Sequence, residues 1–261
     1  MELAPNYKVE AIEEDGKHFY RVVKGEVEVG KYGSVTNRLD LIGGSKTGAL
    51  MGWAVKEALN FVGSALYARK GVPLDDASIA EILKAGRKRP ERIKDTAADL
   101  GTRVHNLIDR WIAGEEIGEV KEDEKIAFGN FLDFVKKKKL TFLCGDLAVA
   151  SIKFQYGGRL DALAFDKKGR LILFDWKTSN AIRDDYALQT AGYAVALEET
   201  YSLKARKAIV VRFDKNDPNV LDHKEVHLGK AVKTWKSLVR FHKNYYKGAW
   251  KNGKRNKRGG K

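Results

Sequence analysis

Strand-like and helix-like segments alternate along this chain, which predicts an α/β protein with a mixed sheet flanked by helices. Two apolar runs in "GGRLDALAFDKKGRLILFDWKTS" have the length and β-branched or aromatic content of buried strands, and "DKKG" between them has turn chemistry. Segments with apolar residues at helical spacing lie on both sides of that pair. The chain has 261 residues, 43% of them hydrophobic, enough for one sizeable core with elaborations or at most two domains.

The elements follow in order. "YKVEAIEEDGKHFYRVV" alternates around Asp15-Gly16, a hairpin signature. From about Thr47 to Lys70 the positions Leu50, Trp53, Ala54, Ala58, Phe61, Val62 and Ala65 keep helical spacing. A short helix is expected over Asp75–Lys84, then a basic loop "GRKRP". A further helix starts near Pro90 and Asp95 and runs to about Gly114. "EDEKIAFGNFLDFVKKKK" places acids first and lysines last, as a helix dipole favours. Three strands follow at about 147–154, 159–166 and 170–177, then a helix from about Asp184 to Glu199. The strands "KAIVVRF" and "DHKEVHL" precede a long final helix from near Gly229, and the tail "KNGKRNKRGGK" reads as disordered. The organisation expected is a lead-in with the hairpin (1–46), a helical region (47–145), a core (146–250) and a basic tail (251–261).

The chemistry concentrates in Asp161, Asp175 and Lys177. Strand side chains alternate, so Leu171, Leu173, Asp175 and Lys177 share one face. A type I turn over Asp166–Gly169 with Gly169 left-handed pairs Asp166 with Arg170. Counting back from there, Asp161 falls opposite Asp175 and Lys177 opposite Arg159. Carboxylates facing each other at about 5 Å repel unless a cation lies between them, so this register asks for a divalent metal. Asp146 is placed elsewhere: a tight turn at "QYGG" would set it at the far end of its strand from Asp161.

An Asp followed one strand later by an acid-x-Lys triplet resembles the PD-(D/E)XK nuclease superfamily. The pattern is most similar to its RecB-like exonuclease branch, which includes the mitochondrial genome maintenance exonuclease and phage exonucleases. "LGTRVHNLID" resembles the branch's GTxxH helix, "YGGRLDALA" its G-x-x-D strand, "LFDWKTS" its DWKTS strand end and "LQTAGYAVAL" its Q-x-x-x-Y helix. "YGSVTNRL" looks like a PSVT segment with Gly33 in place of proline. The resemblance implies a restriction-endonuclease-like fold. It implies His105, Asp161, Asp175 and the backbone carbonyl of Trp176 as ligands of Mg²⁺ or Mn²⁺. It also implies Lys177 as the residue that orients or activates water, Gln189 and Tyr193 as positioning groups, and a 5′-phosphate product. Without that context His105, beside Val104, Leu107, Ile108 and Trp111, would read as a half-buried structural histidine, and Gln189 with Tyr193 as ordinary helix packing.

Charge points to the same substrate class. The net charge is +14, and 12 Lys or Arg with no acid lie from Gly229 onward, leaving +2 for the rest of the chain. In the last helix Val232, Trp235, Val239, His242 and Tyr246 form a core-facing stripe. Lys233, Lys236, Arg240, Lys243 and Lys247 form a basic ridge one residue on, about 100° round the helix. That ridge, with Arg159, is the expected contact to DNA phosphates. Cys144 is the only cysteine. It excludes an internal disulfide framework and a four-cysteine iron–sulfur cluster, and it suggests an intracellular, cytoplasmic setting. No apolar run approaches membrane-spanning length, and the acidic start lacks signal-peptide and presequence patterns. The expected function is a metal-dependent DNA exonuclease acting on single strands or ends in replication, repair or recombination. A structure-specific endonuclease and a non-catalytic nucleic-acid-binding protein of the same fold stay open as alternatives.

Overall fold

The computed structural model of the chain describes residues 3–42, 44–217 and 220–246. Strands β1 (Lys8–Glu14) and β2 (Lys17–Lys24) close over Asp15 and Gly16, both at positive φ (50° and 66°), the backbone an Asp-Gly hairpin turn requires. Strand β3 (Val27–Ser34) and helix α1 (Val35–Leu39) follow, then α2 (Gly44–Ala68), α3 (Asp76–Ile112) and α4 (Glu122–Lys138). Three antiparallel strands come next: β4 (Thr141–Ser151), β5 (Tyr156–Phe165) and β6 (Leu171–Lys177). Helix α5 (Asp184–Tyr201), strands β7 (Lys207–Phe213) and β8 (Leu221–Val226) and helix α6 (Leu228–Tyr246) complete the order. The mixed, mainly antiparallel sheet has eight strands in the order β1-β2-β3-β5-β6-β7-β8, with β4 paired to β5.

Helices cover both faces of the sheet. Leu163, Leu171 and Leu173 pack with α1, α5 and α6 on one face, and Ala162, Ala164, Phe174 and Trp176 pack with α3 and α4 on the other. Strand β5 is the pivot. Because β4 lies along one edge of it from Tyr156 to Phe165, β3 and β6 share the opposite edge. Strand β3 takes Tyr156 and Gly157 in parallel, and β6 takes Ala162–Phe165 antiparallel. Between them the edge from Gly158 to Asp161 has no ladder partner, and the sheet is split there.

Four expectations need correction. The two helices expected around "GRKRP" are one, α3, with Pro90 inside it. Ile82, Gly86, Pro90, Ile93, Ala97, Leu100 and Val104 keep one 3-4 spaced stripe through that segment, and Arg and Lys are good helix formers, so packing outweighs the proline. Second, β4 starts at Thr141, and its turn lies before Tyr156, not at "QYGG". With Gly145 opposite Ala162 and Leu147 opposite Leu160, Asp146 stands beside Asp161 and not at the far end. Third, Lys177 is not paired with Arg159: the β5–β6 ladder stops at Ala162–Phe174, and Lys177 pairs with Arg212 of β7. Fourth, β3 and α1 were not anticipated. Ser34 of "YGSVTNRL" caps α1, its Oγ accepting from Asn37 N at 3.1 Å.

Candidate active site

The β5–β6 turn forms as its chemistry requires. Asp166 N donates to Arg170 O, Gly169 N donates to Asp166 O, and Gly169 is left-handed at φ 68°. The offset of the ladder therefore brings Asp161 level with Asp175 at the point where pairing ends. In place of a ladder bond, Trp176 N donates to Asp161 Oδ2 at 2.6 Å. The first acid is thus fixed by the backbone of the residue between the second acid and the lysine.

Asp175 is 1% exposed, and its Oδ1 has no hydrogen-bond partner. Lys177 Nζ lies 2.6 Å from Asp175 Oδ2 and 4.9 Å from the centroid of the Tyr186 ring on α5. Burial pushes the Asp175 carboxyl up to about 6, against the pull of Lys177 and with the repulsion of Asp161. For Asp161 burial also acts upward, but His105, Lys177 and the Trp176 N–H outweigh it and the carboxyl is held low. Lys177 is raised: burial opposes its charge, and Asp175 and Asp161 together more than restore it. The site is therefore an ionised acid, a second acid poised near neutrality and a firmly protonated lysine.

Helix α3 closes the site from the other side of the split. His105 Nδ1 is 3.5 Å from Asp161 Oδ1, and Asp161 raises the imidazole against the effect of burial. The glycine of the GT pair makes that approach possible: a Cβ on Gly101 would lie 3.0 Å from Thr178 Oγ1, just past Lys177. Helix α5 supplies Tyr193 and Gln189, with Gln189 Nε2 donating to Tyr193 Oη at 2.9 Å. Tyr193 leans on Gly158, where an added Cβ would come within 2.5 Å of its ring. Burial, then the charges of Asp175 and Asp161, raise its hydroxyl well above the ordinary tyrosine value. Trp176 anchors the strand end by its side chain, stacked 4.9 Å from Phe174 and edge-on to Phe131 at 5.7 Å.

The structure thus gathers His105, Asp161, Asp175, Trp176, Lys177, Gln189 and Tyr193 around the split. It does not bring the basic ridge there. Lys233, Arg240 and Lys243 are exposed and Lys236 is half-buried on α6, which packs through Trp235 against Tyr156. Tyr156 is five residues from Asp161, about 17 Å along the strand. Lys247 and the tail lie outside the described residues. Arg159 points into the site region but is paired with Asp146 Oδ2 at 2.5 Å.

Two acids near the site were missed. Asp109 and Asp146 line a cavity of about 340 Å³ beside His105 and Asp161. Burial pushes Asp109 up to about 6, with Asp146 adding to the shift. Asp109 was legible as the residue one turn after His105 on the same helix face. Asp146 was not, because its place depends on where β4 begins. A second cavity, about 720 Å³, opens on the other side of His105 and is lined by Trp53, Lys94, Lys177, Arg183 and Lys215 among others.

Among the described residues, no three His, Cys, Asp or Glu side chains stand as a ready set of metal ligands. Asp161 and Asp175 are engaged by the Trp176 N–H and Lys177 instead. No described helix is long and apolar enough to cross a membrane.

Comparison with known proteins agrees with this geometry at the level of the family. No curated protein matches the chain. A solved structure, that of SSO0001, is similar over 44% of this chain and 57% of its own at 16% identity, with a TM-score of 0.27 that carries no argument. The sequence profile of the PD-(D/E)XK nuclease superfamily matches residues 90–250. That span runs from the middle of α3 through α6 and contains the acid, the acid-x-Lys strand end and the histidine helix. With well over half of its length matched and the signature residues converging on one split in the sheet, the chain belongs to the PD-(D/E)XK nuclease superfamily.

Proposed function

We propose that this chain is a divalent-metal-dependent deoxyribonuclease of the RecB-like branch, acting as an exonuclease on single-stranded or end-containing DNA. The observation that carries the reading is Asp175. Its carboxylate is almost wholly buried, its one close partner is Lys177, its Oδ1 has none, and it lies level with a second acid that burial also disfavours. Such a group costs stability, and a purely structural or binding role gives no reason to keep it.

The donor set suits a hard divalent ion such as Mg²⁺ or Mn²⁺, because it combines two carboxylates, an imidazole and a strand-end carbonyl. His105, Asp161, Asp175 and the Trp176 carbonyl would hold it. When bound, such an ion polarises the scissile phosphate and lowers the pKa of a coordinated water. Lys177, kept protonated by its two acids, acts as a fixed cation that stabilises charge developing on the phosphorane and orients the attacking water. Tyr193, un-ionised and held by Gln189, donates to the strand or to that water.

End-labelled linear and circular single-stranded DNA, incubated with Mg²⁺ or Mn²⁺, tests the proposal. The wild type should degrade the linear strand and spare the circle, and Asp175→Asn should do neither. Cutting of circles would identify an endonuclease. Cleavage by Asp175→Asn at the wild-type rate would remove the site altogether.

A further inference from the structure

The two cavities that flank His105 differ in charge. The smaller holds Asp109, Asp146 and Asp161 against one cation, Arg159, which Asp146 already pairs. The larger lies between the helical arm of α2 and α3 and the end of β6, and its charged wall is Lys94, Lys177, Arg183 and Lys215, with no acid. Lys177 is paired with Asp175 and Arg183 with Asp185, while Lys94 and Lys215 are in no ion pair among the described residues. A polyanion reaching the acids is attracted from the second side and repelled on the first.

Trp53 stands opposite those cations. Among the described residues Trp111, Trp176 and Trp235 are locked in ring–ring contacts, and Trp53 is in none. It is half-buried on α2, with its ring on the same cavity as Lys94 one helix away. "GRKRP", which sequence reading assigns to a loop, lies in α3 before Lys94 and does not line the cavity. Lys84, Arg87, Lys88, Arg89, Arg92 and Lys94 form no ion pair among the described residues. A ring with no ring partner that shares a cavity with two unpaired cations, Lys94 and Lys215, is the pattern by which single strands are held: the base stacks and the phosphates follow the charge.

We propose that this cavity is the subsite for the nucleotide beside the scissile phosphate, its base on Trp53 and its phosphates on Lys94, Arg183 and Lys215. The proposal rests on the nuclease reading and assigns the arm, not α6, the strand nearest the chemistry. Such a subsite would favour ends, since the strand can continue with favourable charge on one side of His105 only.

Binding is measured with the full chain carrying Asp175→Asn, which blocks turnover, and a fluorescein-labelled ten-residue oligothymidylate. Adding Trp53→Leu should weaken binding roughly five- to a hundredfold and abolish part of the tryptophan quenching, whereas Trp53→Phe should recover most of the affinity. Lys94 is exposed, so Lys94→Glu leaves packing alone. That change should weaken binding and lower the salt slope by at least about 0.7. Unchanged affinity in Trp53→Leu, or an unchanged salt slope in Lys94→Glu, would overturn the subsite. A parent protein that fails to bind the oligonucleotide at all would overturn the single-strand exonuclease reading on which the subsite rests.

Discussion

Replacing Asp109 by Asn should stabilise the metal-free protein, and the gain should depend on pH in a calculable way. The Asp109 carboxylate makes no hydrogen bond or ion pair among the described residues, and burial pushes it up to about 6 from 3.8. The folded state therefore prefers the protonated acid. The contribution to stability is fully present below the unfolded value and is lost as pH rises through 6. At about 1.36 kcal/mol per pH unit the full shift would be about 3 kcal/mol. Asp109 is only about half buried, so solvent screening reduces this to about 1 kcal/mol. Asn keeps the shape without the charge, so the variant should gain about 1 kcal/mol above pH 7. The gain should shrink as pH falls through the folded value and vanish below the unfolded one. In thermal unfolding with a chelator present, that is roughly 2–4 °C at pH 8. An offset of equal size at every pH would mean that packing or helix propensity, not the buried charge, sets the difference.

The other expectations concern the site and the path of the substrate. Mg²⁺ or Mn²⁺ should raise the melting temperature of the wild type, and Asp161→Asn or Asp175→Asn should remove that rise, as followed by scanning calorimetry. Lys177→Ala should reduce single-turnover cleavage by at least about a hundredfold while leaving the metal-induced rise in place, since the lysine contributes fixed charge rather than a ligand. Gly158→Ala should displace Tyr193 and slow cleavage without disturbing the fold measured by circular dichroism, and a wild-type rate would remove Tyr193 from the mechanism. Changing Lys236, Arg240 and Lys243 together to Ala should lower the salt slope of single-strand binding by about 2 for long strands.

What could be read from the sequence follows the range of the interactions involved. The β5–β6 offset depends on four residues of one turn, and Asp166 and Gly169 specify that turn locally. The acids could therefore be set level with each other by counting. The stripe of α6 was equally accessible: Trp235 and Val239 are buried as their spacing predicts. Asp146 was misplaced because the start of β4 is decided by pairing with β5 over its whole length, and a turn misplaced by a few residues moves every partner. The arm was read as two helices because Pro90 is a local stop signal, whereas the stripe from Ile82 to Val104 that overrides it is satisfied only by packing on α2 and the core. Strand β3 is exposed over half of its length and has little apolar alternation to mark it.

The split on β5 links these elements. A strand with β4 on one edge needs a partner on the other, yet β3 and β6 each take one end and leave Gly158–Asp161 open. Unpaired backbone inside a sheet is unfavourable, and here it is offset by specific substitutes. Asp161 takes the Trp176 N–H, Tyr193 fills the space over Gly158, and His105 reaches in from α3. Each substitute is also a group the proposed chemistry uses, so the defect in pairing and the site are one feature. Any change that lets β6 pair further along β5 should draw Asp161 away from the Trp176 N–H and dismantle the site while making the sheet more regular. Stability and activity should therefore move in opposite directions for substitutions along this edge.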